Sequence, residues 1–194
     1  MPNTCYEDER FENLDCAHEA FEHLTFTECI FTMCAFDTCM FAACTFRNCR
    51  FIGCTAINPV FHFCEMTGST FEESALIGVA FDQLANAQGV PPTFDALYDC
   101  HLKYCSFANM NLAKADFEST AFQECLFETC ELTASSFASC ELGGTQFSGC
   151  DLRKADFRDA SGYAIDLTAN RLKGAKFSFP EAVHLLDSLG IIVE

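Results

Sequence analysis

Residues 21–51 read FEHLTFTECI FTMCAFDTCM FAACTFRNCR F, with phenylalanine at every fifth place: Phe21, Phe26, Phe31, Phe36, Phe41, Phe46 and Phe51. The phase runs back to Phe11 and forward through Phe61, Met66, Phe71, Leu76 and Phe81. From Leu97 the period returns one residue out of phase, through Leu102, Phe107, Leu112, Phe117, Phe122, Phe127, Leu132, Phe137, Leu142, Phe147, Leu152 and Phe157. After Gly162 it continues with Leu167, Leu172 and Phe177, so that 19 of the 22 phenylalanines fall on the two phases. A period of five matches neither the 3.6 of a helix nor the 2 of a flat strand.

A second signal lies two residues before each centre, where the side chain is small: Cys29, Cys34, Cys39, Cys44, Cys49, Cys54, Cys64, Ser69 and Ser74, then Cys100, Cys105, Ala115, Cys125, Cys130, Ser135, Cys140, Cys150 and Ala155. A five-residue unit with one large and one small residue turned inward is one side of a square coil, and four such units close a turn of 20 residues. The expected fold class is all-β, a four-sided coil of about eight turns, roughly 38 Å long at the ~4.8 Å spacing of adjacent strands. Thirteen of the 15 cysteines occupy the small phase, all but Cys5 and Cys16, and are read as reduced thiols standing in for Ala or Ser. Four of them facing one another across a coil invite a tetrathiolate reading, but the Cys/Ser/Ala interchange favours packing, and no metal or other cofactor is expected.

The chain divides into an N-terminal coil block over 1–81 with an acidic first segment, an interruption over 82–96, a second block over 97–179 and an end segment over 180–194. Gln88, Gly89, Val90, Pro91, Pro92 and Thr93 carry turn and breaker chemistry inside the interruption. They form either a tolerated insertion or a protruding recognition loop. In the last segment Ala182, Leu185, Leu186 and Leu189 have helical spacing, Gly190 ends the helix, and Ile191, Ile192 and Val193 read as a short strand.

Acidic residues outnumber basic ones by 28 to 11, a formal charge of −17. That excludes direct binding of nucleic acid or an anionic membrane, and a charged partner should be basic. No apolar run is long enough to span a bilayer and the first ten residues are polar, so a cytoplasmic location is expected. The five histidines sit at no triad or metal-ligand spacing, and no enzyme is expected. Glu118, Glu124, Glu128, Glu131, Glu141 and Asp151 are read as an acidic mid-rod face, with Glu131 and Asp151 one coil apart. By segment the charge is −6 over residues 1–25 and +3 over 152–177.

Units such as Ala155-Asp156-Phe157-Arg158-Asp159 and Cys150-Asp151-Leu152-Arg153-Lys154 resemble the pentapeptide repeat family, a likeness that covers nearly the whole chain and implies a right-handed quadrilateral β-helix of about eight coils with one inserted loop and a short C-terminal helix plus strand. The stretch 175–193, from Ala175-Lys176-Phe177 to Ile192-Val193, is similar to the end of the Qnr quinolone-resistance proteins and of their relatives that confer immunity to albicidin or microcin B17. That resemblance implies a homodimer joined through Ala182, Leu185, Leu186, Leu189, Ile191, Ile192 and Val193. It also implies DNA gyrase or topoisomerase IV as partner; because the charge is uneven along the chain, contact is expected through the acidic mid-rod face and the 82–96 loop, with DNA-like shape and charge only in part rather than along the whole rod. The alternative is a β-helical scaffold for some other protein.

Overall fold

The computed structural model describes residues 4–84 and 94–192 of the chain. Each short strand lies parallel to the strand one coil on, in a register of 20: Tyr6 opposite Phe26, Phe11 opposite Phe31, Phe21 opposite Phe41. Four columns of strands and bridges result, one per side of the coil. The first face carries centres Tyr6, Phe26, Phe46 and Met66, then Leu112, Leu132, Leu152 and Leu172. The second carries Phe11, Phe31, Phe51, Phe71, Leu97, Phe117, Phe137, Phe157 and Phe177. The third runs from Cys16 and Phe36 to Leu142, and the fourth from Phe21 to Phe147. The architecture is the expected solenoid of about eight coils, and it starts one unit earlier than the Phe periodicity shows, at β1 (Thr4–Glu7), followed by β2 (Arg10–Glu12) and β3 (Ala20–Glu22).

Corners turn through a left-handed residue two places after each centre, as at Asp8, Asn13, His18, Glu28 and Phe63, whose φ values are 55°, 55°, 67°, 58° and 54°. An L-residue there carries steric cost. The cost is offset because the corner amide donates to the next coil, as Glu28 N–H does to the Arg47 carbonyl at 2.8 Å.

Inside, the rings stack at the coil spacing: Phe31 on Phe51 at 4.9 Å and 6°, Phe107 on Phe127 at 4.5 Å and 4°, Phe137 on Phe157 at 4.9 Å and 3°. Neighbours around a coil meet edge to face, as Phe117 and Phe122 do. The small phase does more than leave room. Most Cys, Ser and Thr there donate to a carbonyl 23 residues back, as Cys54 does to Phe31, Cys130 to Phe107 and Thr120 to Leu97 at 2.6 Å, and Cys105 does so 29 back, to Leu76, across the interruption. Burial pushes the thiols of Cys49 and Cys54 up to about 11 and those of Cys100 and Cys140 up to about 12, which keeps them protonated as donors at neutral pH. The interchange of Cys with Ser is therefore one of hydrogen-bond donors as well as of small apolar groups.

The phase jump is an insertion of defined size. Phe71 pairs with Leu97, Leu76 with Leu102 and Ala80 with Ser106, a register of 26 where 20 is the rule. The interruption is narrower than 82–96. Phe81–Leu84 is a short helix with Phe81 and Leu84 buried, and Phe94–Tyr98 is a strand whose Phe94 packs edge to face on Phe81. Both flanks hold apolar side chains that bury more surface inside the stack than outside it. Gln88, Gly89, Val90, Pro91, Pro92 and Thr93 lie outside the described residues.

Leu167 does not fill its expected inward place. Gly162 has no side chain to offer, so Tyr163 and Ile165 turn in and are buried, leaving Leu167 half-buried. The helix over Glu181–Leu189 is present and Gly190 caps it in the left-handed conformation. Ile191 and Ile192 form no strand; the Ile191 amide instead donates to the Leu186 carbonyl at 3.2 Å, closing the end of the helix, and Val193 is outside the described residues. No helix among the described residues is long and apolar enough to cross a membrane.

Thr120 also accepts from the Cys100 amide at 3.3 Å. Thr120→Val should therefore lower stability by about 1–3 kcal/mol in denaturant titration, and Thr120→Ser by less, because Val orphans both groups in a dry core. Ala56 sits where Phe36 and Leu76 carry bulk and lines an apolar void of about 50 Å³. Ala56→Leu should fill it and gain ~1 kcal/mol, a rise of a few degrees in melting temperature.

Candidate functional site

Because consecutive units visit successive faces, only residues 20 or 26 apart share a surface. Sorted in this way the charge is uneven: six carboxylates against six cations on the first face, ten against four on the second, four against one on the third and five against none on the fourth. The second face gathers Glu72, Glu73, Asp95, Asp99, Asp116 and Glu118 over three adjacent coils at mid-rod. Glu72 lies opposite Tyr98, the Glu73 amide donates to the Tyr98 carbonyl at 3.0 Å, and Ala96 is bridged to Asp116. Arg50 holds Glu72 at 2.9 Å, and Glu118 N–H donates to Asp116 Oδ1 at 3.1 Å.

Tyr98 stands exposed at the centre of this group. Partial burial, together with the charge and hydrogen bonding of Asp116 and the charges of Glu118 and Glu72, pushes its phenol above the ordinary tyrosine value. The chain leaves the described stack at buried Leu84 and re-enters at buried Phe94, next to Asp95. Acidic surface and interruption are therefore contiguous.

The six carboxylates expected to form one acidic face do not. Glu131 and Asp151 are neighbours on the first face, as their spacing demands. Glu118 lies on the second, Glu124 and Glu141 on the third, and Glu128 on the fourth. Spacings of 3 to 10 carry the chain around the coil rather than along it. Asp151 is also neutralised, by Arg153 at 2.6 Å and Arg171 at 3.0 Å. Those hydrogen bonds hold its carboxyl below the usual range, Arg153 contributing most. The true cluster was detectable only by adding 26 instead of 20 across the interruption.

Toward the C-terminal end the surface changes sign. Asp156 bridges Arg158 at 2.7 Å and Lys176 at 3.1 Å, and its carboxyl is held well below the ordinary value, chiefly by Arg158. Beyond it, the end helix has no fully buried residue. Leu185 packs on the last coil with Leu172 and Phe177, whereas Ala182 and Leu186 are half-buried and Leu189, Ile191, Ile192 and Phe179 are exposed, Ile192 to 86% and Phe179 to 84%. Among the described residues no group of three or more Cys, His, Asp or Glu could hold a metal ion.

Two titrations check this electrostatic account. In ultraviolet titration against Tyr98→Phe, the Tyr98 phenol should ionise above the free-tyrosine pH, and Asp116→Asn should bring its midpoint down. Asp156→Asn should cost about 1 kcal/mol or less at pH 7. A carboxyl whose folded value is depressed stabilises above the unfolded value of ~3.9 and loses that contribution as pH falls through the folded one, so the deficit should vanish in strong acid.

Residues 96–177 match a family model described as pentapeptide repeat region. Among solved structures, the chain is similar to QnrB1, a plasmid-mediated fluoroquinolone resistance protein, at 19% identity over 98% of both chains with a TM-score of 0.45. It is similar to HetL of Nostoc sp. strain PCC 7120, involved in regulating heterocyst differentiation, at 12% identity over 89% of this chain and 84% of that one, TM-score 0.39. A pentapeptide repeat protein from the thylakoid lumen of Arabidopsis thaliana matches at 32% identity over 38% of this chain and 54% of its own, TM-score 0.35. No curated protein matches.

Proposed function

We propose that this chain, whose residues 96–177 match the pentapeptide repeat family, is a non-catalytic ligand of a bacterial type II topoisomerase, DNA gyrase or topoisomerase IV, that protects the enzyme from quinolones or natural-product poisons. The observation that carries this reading is the carboxylate cluster of the second face, set beside buried Phe94, where the described chain resumes after the interruption. Three coils occupy ~14 Å, over which duplex DNA presents about eight phosphates. Six carboxylates stand in that span here, one of them paired with Arg50. A groove that holds DNA is lined with cations, and a narrow rod of matching local charge density is drawn into it by the same field. Mimicry is local, since the first face is balanced and the coils around Asp156 carry cations.

The end segment supports a dimer. Phe179, Leu189, Ile191 and Ile192 expose apolar surface at one end of the rod, where a second copy would bury it and supply the missing strand partner. In the dimer the two acidic clusters lie on either side of a weakly basic middle.

A second reading, a scaffold for a different protein, is favoured by the fourth face. There Met40, Val60 and Phe63 are exposed on a sheet free of cations, Phe63 to 80%.

Purified protein should restore gyrase supercoiling under ciprofloxacin or albicidin. Neutralising Glu73, Asp95, Asp99, Asp116 and Glu118 together should abolish rescue while leaving the circular dichroism unchanged; absence of rescue with every poison, and of gyrase binding, would discard the proposal. Leu189→Asp should yield monomers by light scattering, and an unchanged mass would remove the dimer.

A further inference from the structure

The two ends of the solenoid differ. The last coil is covered by Leu185 from the end helix. At the other end the first coil has no cover among the described residues, and Tyr6, Phe11 and Phe21 are only half-buried where Phe31 and Phe51 are 3% and 5% exposed. Their rings, with Phe26 and Phe31 beneath, form the floor of an apolar hollow of about 210 Å³. Around it β1, β2 and β3 are the outermost strands of three separate sheets, each paired on one side only. A bare edge offers amides and carbonyls to a further strand.

Chemistry at this mouth selects what can fill it. The phase that is small and inward elsewhere holds Glu9 and Glu19, both exposed, whose backbone carbonyls already accept from Ile30 and Met40. A carboxylate at that phase could not be stacked under another copy of the same coil without burying charge. Residues 1–25 carry a net charge of −6, so two such ends repel. Glu7, Glu12, Asp15 and Glu22 complete an acidic rim around the apolar floor.

We infer that the N-terminal mouth is a docking site for an extended, basic polypeptide segment of a partner. Such a segment adds a strand to the free edges of β1, β2 or β3, sets apolar side chains on the Tyr6, Phe11 and Phe21 rings, and places Lys or Arg against the rim. An acidic or neutral strand lacks the second attraction, and a helix cannot use the free edges.

The probe is a fluorescein-labelled peptide of alternating leucine and lysine, read by anisotropy against the full-length protein. Glu7→Lys, Glu9→Lys and Glu12→Lys combined should weaken binding about tenfold. The same number of reversals at mid-rod, Glu124→Lys, Glu128→Lys and Glu141→Lys, all exposed and outside the second-face cluster, should change it less than about twofold if the site is the mouth and not the overall charge. N-methylating alternate peptide amides, which needs no protein variant, should also weaken binding, because it removes the strand donors. Equal loss from mid-rod and mouth reversals, indifference to N-methylation, or equally tight binding of an alternating leucine-glutamate peptide would each overturn the proposal. So would a mixture of wild type and the triple variant that associates by light scattering without binding peptide, since a second copy would then be the occupant.

Discussion

Every other feature of this molecule depends on the hydrogen-bonded ladder between one coil and the next. Its bonds place residue i beneath i + 20, as the Arg50 amide on the Cys29 carbonyl and the Thr70 amide on the Cys49 carbonyl do, each at 2.9 Å. That register makes the aromatic period meaningful, because like falls on like and flat rings stack at the strand spacing. Residues around one coil could not hold the fold alone; a single coil buries almost nothing until another lies on it, so stability accumulates coil by coil.

The same register divides the surface. A helix or a two-sided sheet has one exposed face, whereas this coil has four, and consecutive units contribute to each in turn. Charges close in sequence are thereby spread apart, and charges 20 or 26 apart are drawn together. The balanced first face and the acidic second face are made from the same stretch of chain, sorted only by winding. A partner meets one face at a time, so recognition depends on this sorting rather than on the net charge.

Ends obey another rule. An interior coil has both sides occupied, but a terminal coil must find a cover or present chemistry that tolerates water. At one end Tyr163, Ile165 and Leu185 close the core. At the other, glutamates stand where cysteines stand elsewhere. The polarity of the rod is thus built into which residues occupy the small phase, and it gives the two ends different surfaces.

Phe or Leu at every fifth place, with a small residue two before, was enough by itself to specify a four-sided solenoid of about eight coils, because no other winding buries that pattern. The C-terminal helix and its Gly190 stop were legible too, since caps are local chemistry. What the linear order could not contain was the alignment across the interruption. Whether Phe71 meets Leu97 or a residue one place off depends on how buried Leu84 and Phe94 pack at the two edges of the interruption. From that alignment follows the cluster around Tyr98; the dispersal of Glu118, Glu124 and Glu128 over three faces comes from the winding itself, and Tyr163 and Ile165 fill the core in place of Leu167 because Gly162 offers no side chain. Local spacing determines how the chain winds; only the closed stack decides which distant residues share a surface.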